Sequence, residues 1–188
     1  MAREFKDTEV RIPNCRLSYA FVWRPRIEED GSQGKYSASL IIPKTDKTTI
    51  KKIQAAVEAA KKEGKSKLAG KNGIIPNNIH MPLRDADEEG RTDDAYAGMM
   101  FLNATSKRRP QIVDKHVHRI EDEEEVYSGC YCNVTVNFYA YANNGNKGIA
   151  AGLNNIQKVR DGERLSGGSS AESDFDVLED DEDEELLA

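Results

Sequence analysis

The sequence predicts a mainly β protein, a small barrel of five strands with one inserted helix, followed by a disordered acidic tail. Three observations support this fold class. Apolar and aromatic residues alternate with a period of two in several segments, which indicates half-buried strands. The 3.6-residue period of an amphipathic helix stands out in one segment, at about 46–63. Residues 169–188 hold ten acids and no base, a composition that cannot bury enough apolar surface to fold alone.

The first two predicted strands form a hairpin. Residues 10–24 (VRIPNCRLSYAFVWR) are rich in aromatic and β-branched types, and period-two spacing places four side chains on one face: Leu17, Tyr19, Phe21 and Trp23. Residues 25–35 contain a proline and two glycines, so they predict a loop. Residues 35–44 (KYSASLIIPK) predict the return strand, which Pro43 ends.

The inserted helix follows directly. Thr45 or Asp46 can cap its first turn, and Gly64 suits its C-terminal end. One face carries an apolar stripe and the other is mostly lysine; the stripe comprises Ile50, Ile53, Val57 and Ala60. Residues 65–98 are polar, with prolines at 76 and 82, so we expect short strand fragments within a long connection.

Three further strands complete the predicted barrel. Residues 98–114 begin as a strand and end in a basic cluster. Residues 129–142 form the strongest strand pattern, in which alternate residues are apolar: Val134, Val136, Phe138 and Ala140. Residues 143–148 (NNGNKG) predict a turn, and 149–160 predict the closing strand. Five strands and one helix suit a partly open barrel of the OB type, although the helix follows the second strand here and usually follows the third.

Charge is separated along the chain. The whole sequence has 27 bases and 33 acids, but residues 1–168 have 27 bases and 23 acids, a charge of about +4. We therefore expect two regions, a globular nucleic-acid-binding domain at 1–168 that meets a polyanion and an acidic tail at 169–188 that imitates one. No apolar run exceeds five residues, which predicts a cytoplasmic protein without a membrane partner, and three cysteines predict reduced thiols.

Bases and aromatic residues are interleaved in the body, as single-stranded nucleic acid binding requires: cations follow the phosphates while rings stack on bases of any identity. Rings at period two also fill barrel cores, so not every ring is a candidate. The predicted stacking residues are Trp23, Tyr131, Tyr139 and Tyr141. The predicted phosphate contacts are Arg24, Arg26, Lys107, Arg108, Arg109, Lys147, Lys158 and Arg160.

Metal and enzyme signatures are weak. Cys130 and Cys132, like His116 and His118, have one residue between them, a spacing unlike that of common zinc sites. Residues 85–90 (DADEEG) begin like a calcium loop, but its twelfth position is Tyr96, where a glutamate is needed. Motifs of nucleotide-binding and hydrolytic enzymes are absent. We predict no enzyme activity, cofactor or metal, while a metal-dependent nuclease remains an alternative.

Residues 101–114 (FLNATSKRRPQIVD), residues 129–165 and the acidic end together resemble the single-stranded DNA-binding proteins of tailed bacteriophages typified by that of the enterobacterial phage Enc34. The resemblance covers most of residues 8–168. It implies an OB-fold, sequence-tolerant binding and protection of single-stranded DNA in phage replication or recombination, and no catalysis. It also implies a tail that regulates access to DNA and meets partner replication proteins.

The tail itself gives the last prediction. We expect it to compete for the DNA groove through its regulatory residues: Phe175, Asp180, Asp181, Glu182, Asp183, Glu184 and Glu185. Many acidic tails of functional analogues end with a phenylalanine that docks on partners, whereas this chain ends in Leu-Leu-Ala. An alternative reading makes the tail the active part of a chaperone-like interaction protein that binds basic partners.

Overall fold

The computed structural model describes residues 2–165 and 175–178. The elements of the described chain are, in order, β1 (Glu9–Phe21), β2 (Tyr36–Pro43), α1 (Lys47–Glu63), α2 (Lys65–Leu68), β3 (Arg84–Asp85), β4 (Met99–Ser106), β5 (Gln111–Val113), β6 (Tyr131–Asn143) and β7 (Asn146–Arg160). The predicted disorder of 169–188 lies outside the described residues, except for 175–178, which form neither helix nor strand.

Five of the strands close into a barrel. β1 pairs in antiparallel fashion with β2 and β6, β2 pairs with β4, and β6 pairs with β7. A short parallel contact between β4 and β7, Ala104 with Ala151 and Thr105 with Gly152, completes the ring. This arrangement confirms the predicted OB-type barrel. The closing contact between β4 and β7 is short, with two residue pairs. The helix follows the second barrel strand, as the sequence indicated.

β1 does not keep the single face that its alternation predicts. The pairing register shifts between Ile12 and Cys15 and again between Ser18 and Phe21. The second shift coincides with a positive φ of 46° at Tyr19, an uncommon conformation for a bulky residue. Each bulge adds a residue and reverses the sides of those that follow. The prediction of one shared face is therefore wrong: Leu17 is buried, whereas Tyr19 is 59% exposed and Phe21 38% exposed.

The barrel core and α1 agree with the sequence pattern. The predicted inward residues of β6, Val134, Val136, Phe138 and Ala140, are all buried. Asp46 caps α1 by accepting a hydrogen bond from the Thr49 backbone N–H at 3.2 Å. Gly64 ends the helix with a φ of −97°, so its role is close packing: a Cβ at Gly64 would overlap that of Ala140. α1 and α2 therefore lie against the end of the barrel where β6 finishes.

Residues 65–98 form the long connection with a short strand, β3, as predicted, and they have a structural role that the sequence did not reveal. Tyr96 packs with Ile41, Ala86 and Phe101 in a second apolar cluster on the outer side of β2 and β4. Its hydroxyl donates a hydrogen bond to Ser39 Oγ at 3.1 Å. The connection thus covers part of the barrel's outer face. None of the helices in the described residues is long and apolar enough to cross a membrane.

Candidate nucleic-acid interface

The predicted cations that follow β1 and β4 meet at one end of the barrel. β1 ends where β2 begins, with Phe21 beside Ser37, and β4 ends at the same place, with Ser106 beside Tyr36. The loops leaving these strand ends carry five exposed cations, which we call the cationic rim: Arg24, Arg26, Lys107, Arg108 and Arg109. Two sequence segments more than eighty residues apart therefore contribute to one positive surface.

Trp23 lies within this rim but is only partly exposed. Its indole N–H donates a hydrogen bond to the backbone oxygen of Val126 at 2.9 Å, and part of the ring packs against the core. The Arg109 guanidinium carbon lies 5.2 Å from the ring centroid, within the range of a cation–π contact. Trp23 is thus well anchored with Arg109 beside its ring, and its stacking on a base stays a prediction.

Two exposed rings on the outer side of β1 are functional candidates that the sequence reasoning missed. Phe21 lies beside Ser37 of β2, and Ser37 lies beside Thr105 of β4, so small polar side chains surround the ring. Tyr19 projects from the bulge two residues earlier. Sequence alternation assigned both rings to one face with buried Leu17, and only the bulge places them outside. Small neighbours leave room for a base to stack on Phe21, while the Arg91 guanidinium carbon lies 5.8 Å from the Tyr19 ring centroid.

Tyr131 of β6 lies beside Arg16 of β1 and is surrounded by cations. The Arg160 guanidinium carbon is 3.6 Å from its ring centroid, and that of Arg16 is 5.6 Å away. Arg16 is held in place by hydrogen bonds from its guanidinium to the backbone oxygens of Gly129 at 3.1 Å and Glu163 at 2.8 Å. Arg16 was not among the predicted phosphate contacts, because nothing in the sequence marks it as the neighbour of Tyr131.

A groove of 440 Å³ connects these two parts of β1. Its walls include Arg16, Ser18, Tyr19 and Arg164, together with acids at 93, 94 and 163. We call this continuous surface the track. It runs from Tyr131 and Arg160, past Arg16 and Tyr19, to Phe21 and the cationic rim. Along it, rings and cations occur together, the combination that single-stranded nucleic acid binding requires.

Lys158 is near the track but its charge is already paired. Its side chain is 16% exposed, and its Nζ lies 2.5 Å from Asp161 Oδ1. Burial lowers the pKa of Lys158 and the Asp161 carboxylate raises it, with a net upward shift. The ammonium therefore stays charged, but Asp161 holds it where the sequence analysis expected a phosphate.

Three other predicted residues lie at the opposite end of β6. Tyr139 is eight residues beyond Tyr131, about 26 Å along an extended strand. Tyr139 is 40% exposed, Tyr141 is partly buried, and Lys147 Nζ donates a hydrogen bond to the backbone oxygen of Ala69 at 3.5 Å. The structure does not bring these residues to the track, and their DNA contacts stay predictions.

The cysteines and histidines that were considered as metal ligands lie in different environments: the cysteines are buried and the histidines are on the surface. Cys15, Cys130 and Cys132 are buried, and the last two have their Sγ atoms 3.6 Å apart. Burial raises the pKa of the Cys15 thiol to about 12, which keeps it protonated at neutral pH. The rings of His116 and His118 lie on a surface loop with their centroids 6.2 Å apart. Across residues 2–165 and 175–178, no three potential ligands are arranged to hold a metal.

Comparison with known proteins gives a consistent picture. Residues 8–187 match the family model described as the single-stranded DNA-binding protein of Enterobacter phage Enc34. A putative protein p50 of Acyrthosiphon pisum secondary endosymbiont phage 1 is 36% identical over 185 residues, which cover 96% of this chain and 99% of that protein.

Solved structures extend the similarity to the fold. The single-stranded DNA-binding protein of bacteriophage Enc34, solved in complex with single-stranded DNA, superposes with a TM-score of 0.72 at 25% identity, covering 88% of this chain and 97% of that one. The single-stranded DNA-binding protein gp2.5 of bacteriophage T7 superposes with a TM-score of 0.59 at 16% identity, covering 86% of this chain and 97% of that one. The second similarity supports the fold alone.

Proposed function

Because this chain belongs to the family of the Enterobacter phage Enc34 single-stranded DNA-binding protein, we propose that it binds single-stranded DNA along the track, without regard to sequence. The family match confirms the resemblance noted from the sequence. Proteins of this family bind DNA and are not enzymes, so the prediction of a non-enzymatic protein is also confirmed.

One observation supports the assignment of the track: the exposed rings of Tyr19 and Phe21 lie on the outer side of β1 between Arg16 and the cationic rim. Tyr19 and Phe21 are exposed because the bulge in β1 places both rings outside the core. Stacking contributes about 1–3 kcal/mol per base and is tolerant of sequence, since every base has a flat face. The cationic rim and Arg16 lie within the same surface and would hold the phosphates.

We propose that the acidic tail, residues 169–188, competes with DNA for the track. Support comes from where the body ends. Leu165 lines the groove that also contains Arg16 and Tyr19, and its backbone N–H donates a hydrogen bond to the Ser128 oxygen at 3.0 Å. Leu165, four residues before the tail, thus lies beside the proposed DNA path, and the ten acids of the tail match the sign of the phosphates they would displace.

The biological setting is a further part of the proposal. A protein that covers single strands without regard to sequence protects them while phage DNA is replicated or recombined. We propose this role in the cytoplasm of the bacterial host, with the tail as a contact for replication or recombination proteins when it is displaced by DNA. The body at 1–168 would carry DNA binding, and the tail would carry regulation.

The test is fluorescence anisotropy of a labelled oligo-dT with the full chain and with a variant lacking residues 169–188, at low and high salt. We expect the full chain to bind, and the variant to bind more tightly, because a competing anion has been removed. The difference should shrink as salt screens the tail. Equal affinities at low salt would refute tail competition. Absence of oligo-dT binding in both forms would refute the DNA-binding proposal and favour the tail-centred interaction protein.

A further inference from the structure

The helical insertion is a second positively charged region of the body, separate from the track. Residues 46–71 contain eight lysines and three acids, whereas the remainder of residues 1–168 contains nineteen bases and twenty acids. The whole basic excess of the body therefore lies on α1, α2 and the turn that follows them. A concentrated field of one sign on a surface attracts a polyanion of opposite sign.

The lysines of the insertion point outward along one side. Thr49, Ile53, Ala56, Val57 and Ala60 are the buried residues of α1. Lys47, Lys51 and Lys62 lie on the opposite side of the helix by its 3.6-residue period, over a length of about 22 Å. We call the exposed lysines of the two helices the lysine face: Lys47, Lys51, Lys52, Lys62, Lys65 and Lys67.

The lysine face has two features that distinguish it from a neutralised, solvated surface. Of the eight lysines between 46 and 71, Lys61 alone forms an ion pair within the described part of the chain, with Glu58 at 3.2 Å. A groove between α1 and the N-terminal segment adjoins this face with a small net positive charge, since four cations and three acids line it: Lys6, Arg11, Lys52 and Lys62 with Asp7, Glu9 and Glu58. The cations are thus numerous, exposed and available.

No aromatic residue occurs between 46 and 71. A surface of lysines without rings can contact phosphates but cannot stack on bases, so it gains nothing from unpaired bases. Duplex DNA carries one charge per 1.7 Å of its axis, compared with one per 3.4 Å for each strand, and each neutralised duplex phosphate releases more counterion. The chemistry of the lysine face therefore favours duplex over single-stranded DNA.

We infer that the lysine face is a second DNA-binding surface, which takes the phosphate backbone of duplex DNA without regard to sequence. It lies at the barrel end where β1 begins, whereas the track runs from Arg16 to the opposite end of β1. The two surfaces can therefore be occupied together. The inference goes beyond the proposed function and depends on it only for the position of the single strand.

The test uses the full chain carrying Lys47→Gln, Lys51→Gln and Lys62→Gln, substitutions that keep helix propensity on an exposed face. Binding of a labelled blunt duplex is followed by anisotropy over a range of salt. We expect at least a tenfold loss of duplex affinity at low salt and a decrease of about 2.7 in the slope of log K against log salt. Binding of labelled oligo-dT should be unchanged. The matched control, Lys→Arg at the same three positions, should retain wild-type duplex binding.

Several outcomes would overturn the inference. One is that the wild-type chain does not bind duplex. Another is that the Gln variant keeps the wild-type duplex slope. A third is that the variant loses affinity for oligo-dT and for duplex to the same degree. A synthetic peptide of residues 172–188 that binds the wild type and not the Gln variant, with no duplex binding, would identify the tail as the occupant. If the wild type does not bind oligo-dT, the proposal of the track is refuted. The duplex measurements then still test whether the lysine face binds DNA.

Discussion

The track and the lysine face are both surfaces with exposed cations, but they differ in what accompanies the charge. On the track, cations lie beside rings, as Arg160 does on Tyr131 and Arg109 on Trp23. The two helices that carry the lysine face contain cations and no rings. The groove of the track includes acids at 93, 94 and 163, and residues 46–71 include three acids among eight lysines, so both surfaces carry a net positive charge.

This difference shows that net charge alone does not locate a single-strand site. Charge supplies the sequence-independent and salt-dependent part of DNA binding on either surface. Stacking requires rings and unpaired bases, and only the track offers rings to a strand that passes between its cations. Substitutions on one surface should therefore change the binding of one form of DNA and leave the other form unaffected.

Removing the two exposed rings of β1 should have the largest effect. We expect the Tyr19→Ala, Phe21→Ala double variant to bind oligo-dT about 30-fold or more weakly, since each stacked base contributes about 1–3 kcal/mol. Duplex affinity should not change. Both affinities can be measured by anisotropy with the same labelled oligonucleotides.

Tyr139→Ala is the matched control for the ring variant, because Tyr139 is 40% exposed and Phe21 38% exposed, yet Tyr139 lies at the far end of β6. The account expects it to leave oligo-dT affinity unchanged. A larger loss in Tyr139→Ala than in the double variant would move the single strand to the β6–β7 hairpin, where sequence alternation first placed it.

The basic cluster after β4 should have the next largest effect. Replacing Lys107, Arg108 and Arg109 with alanine should decrease the slope of log K against log salt for oligo-dT by about 2, because three phosphate contacts are lost. A charge-preserving variant, Lys107→Arg with Arg108→Lys and Arg109→Lys, should keep the slope. An unaltered slope in the alanine variant would exclude the cluster from the track.

Substitutions of two neighbouring cations of β7 should have smaller effects on the oligo-dT salt slope, and the two effects should differ. Arg160→Gln should lower the oligo-dT salt slope by about 0.7, as expected for one phosphate contact. Lys158→Gln should have no effect on that slope, since Asp161 already pairs with its ammonium. Equal effects of the two substitutions would mean that the Lys158–Asp161 pair opens when DNA binds.

The joint between the barrel and the lysine face should affect stability and leave both affinities nearly unchanged. Gly64→Ala places a Cβ against Ala140, and overpacking of this kind costs about 1–3 kcal/mol. We expect the melting temperature to fall by about 2–4 °C per kcal/mol in a chain of this length. Ser66→Ala, on the exposed side of α2, is the control and should melt like the wild type.

The sequence predicted the barrel more completely than the site. Period-two alternation identified β6 and its buried residues because that strand is regular from Val134 to Ala140. The same reasoning placed Tyr19 and Phe21 with Leu17, since alternation contains no information on where a bulge will add a residue. Two of the main candidates for stacking were therefore missed.

The sequence predicted some of the cations of the track and missed others. The cluster at 107–109 and the arginines at 24 and 26 come together as one rim because three strand ends meet. Arg16 was missed because its neighbour Tyr131 lies on another strand, and the pairing of Lys158 with Asp161 was not foreseen, while its phosphate contact stays a prediction. Side-chain pairing depends on the fold, and the sequence alone does not disclose it.

The most direct test of the central claim is photo-crosslinking of the full chain to an oligonucleotide containing 5-iodouracil, with residue-level mass spectrometry of the adducts. The account predicts adducts at Tyr19 and Phe21, on the outer side of β1, and their suppression by excess unlabelled oligo-dT. Adducts at Tyr139 and Tyr141, with none on β1, would contradict it and place the single strand at the opposite end of the barrel.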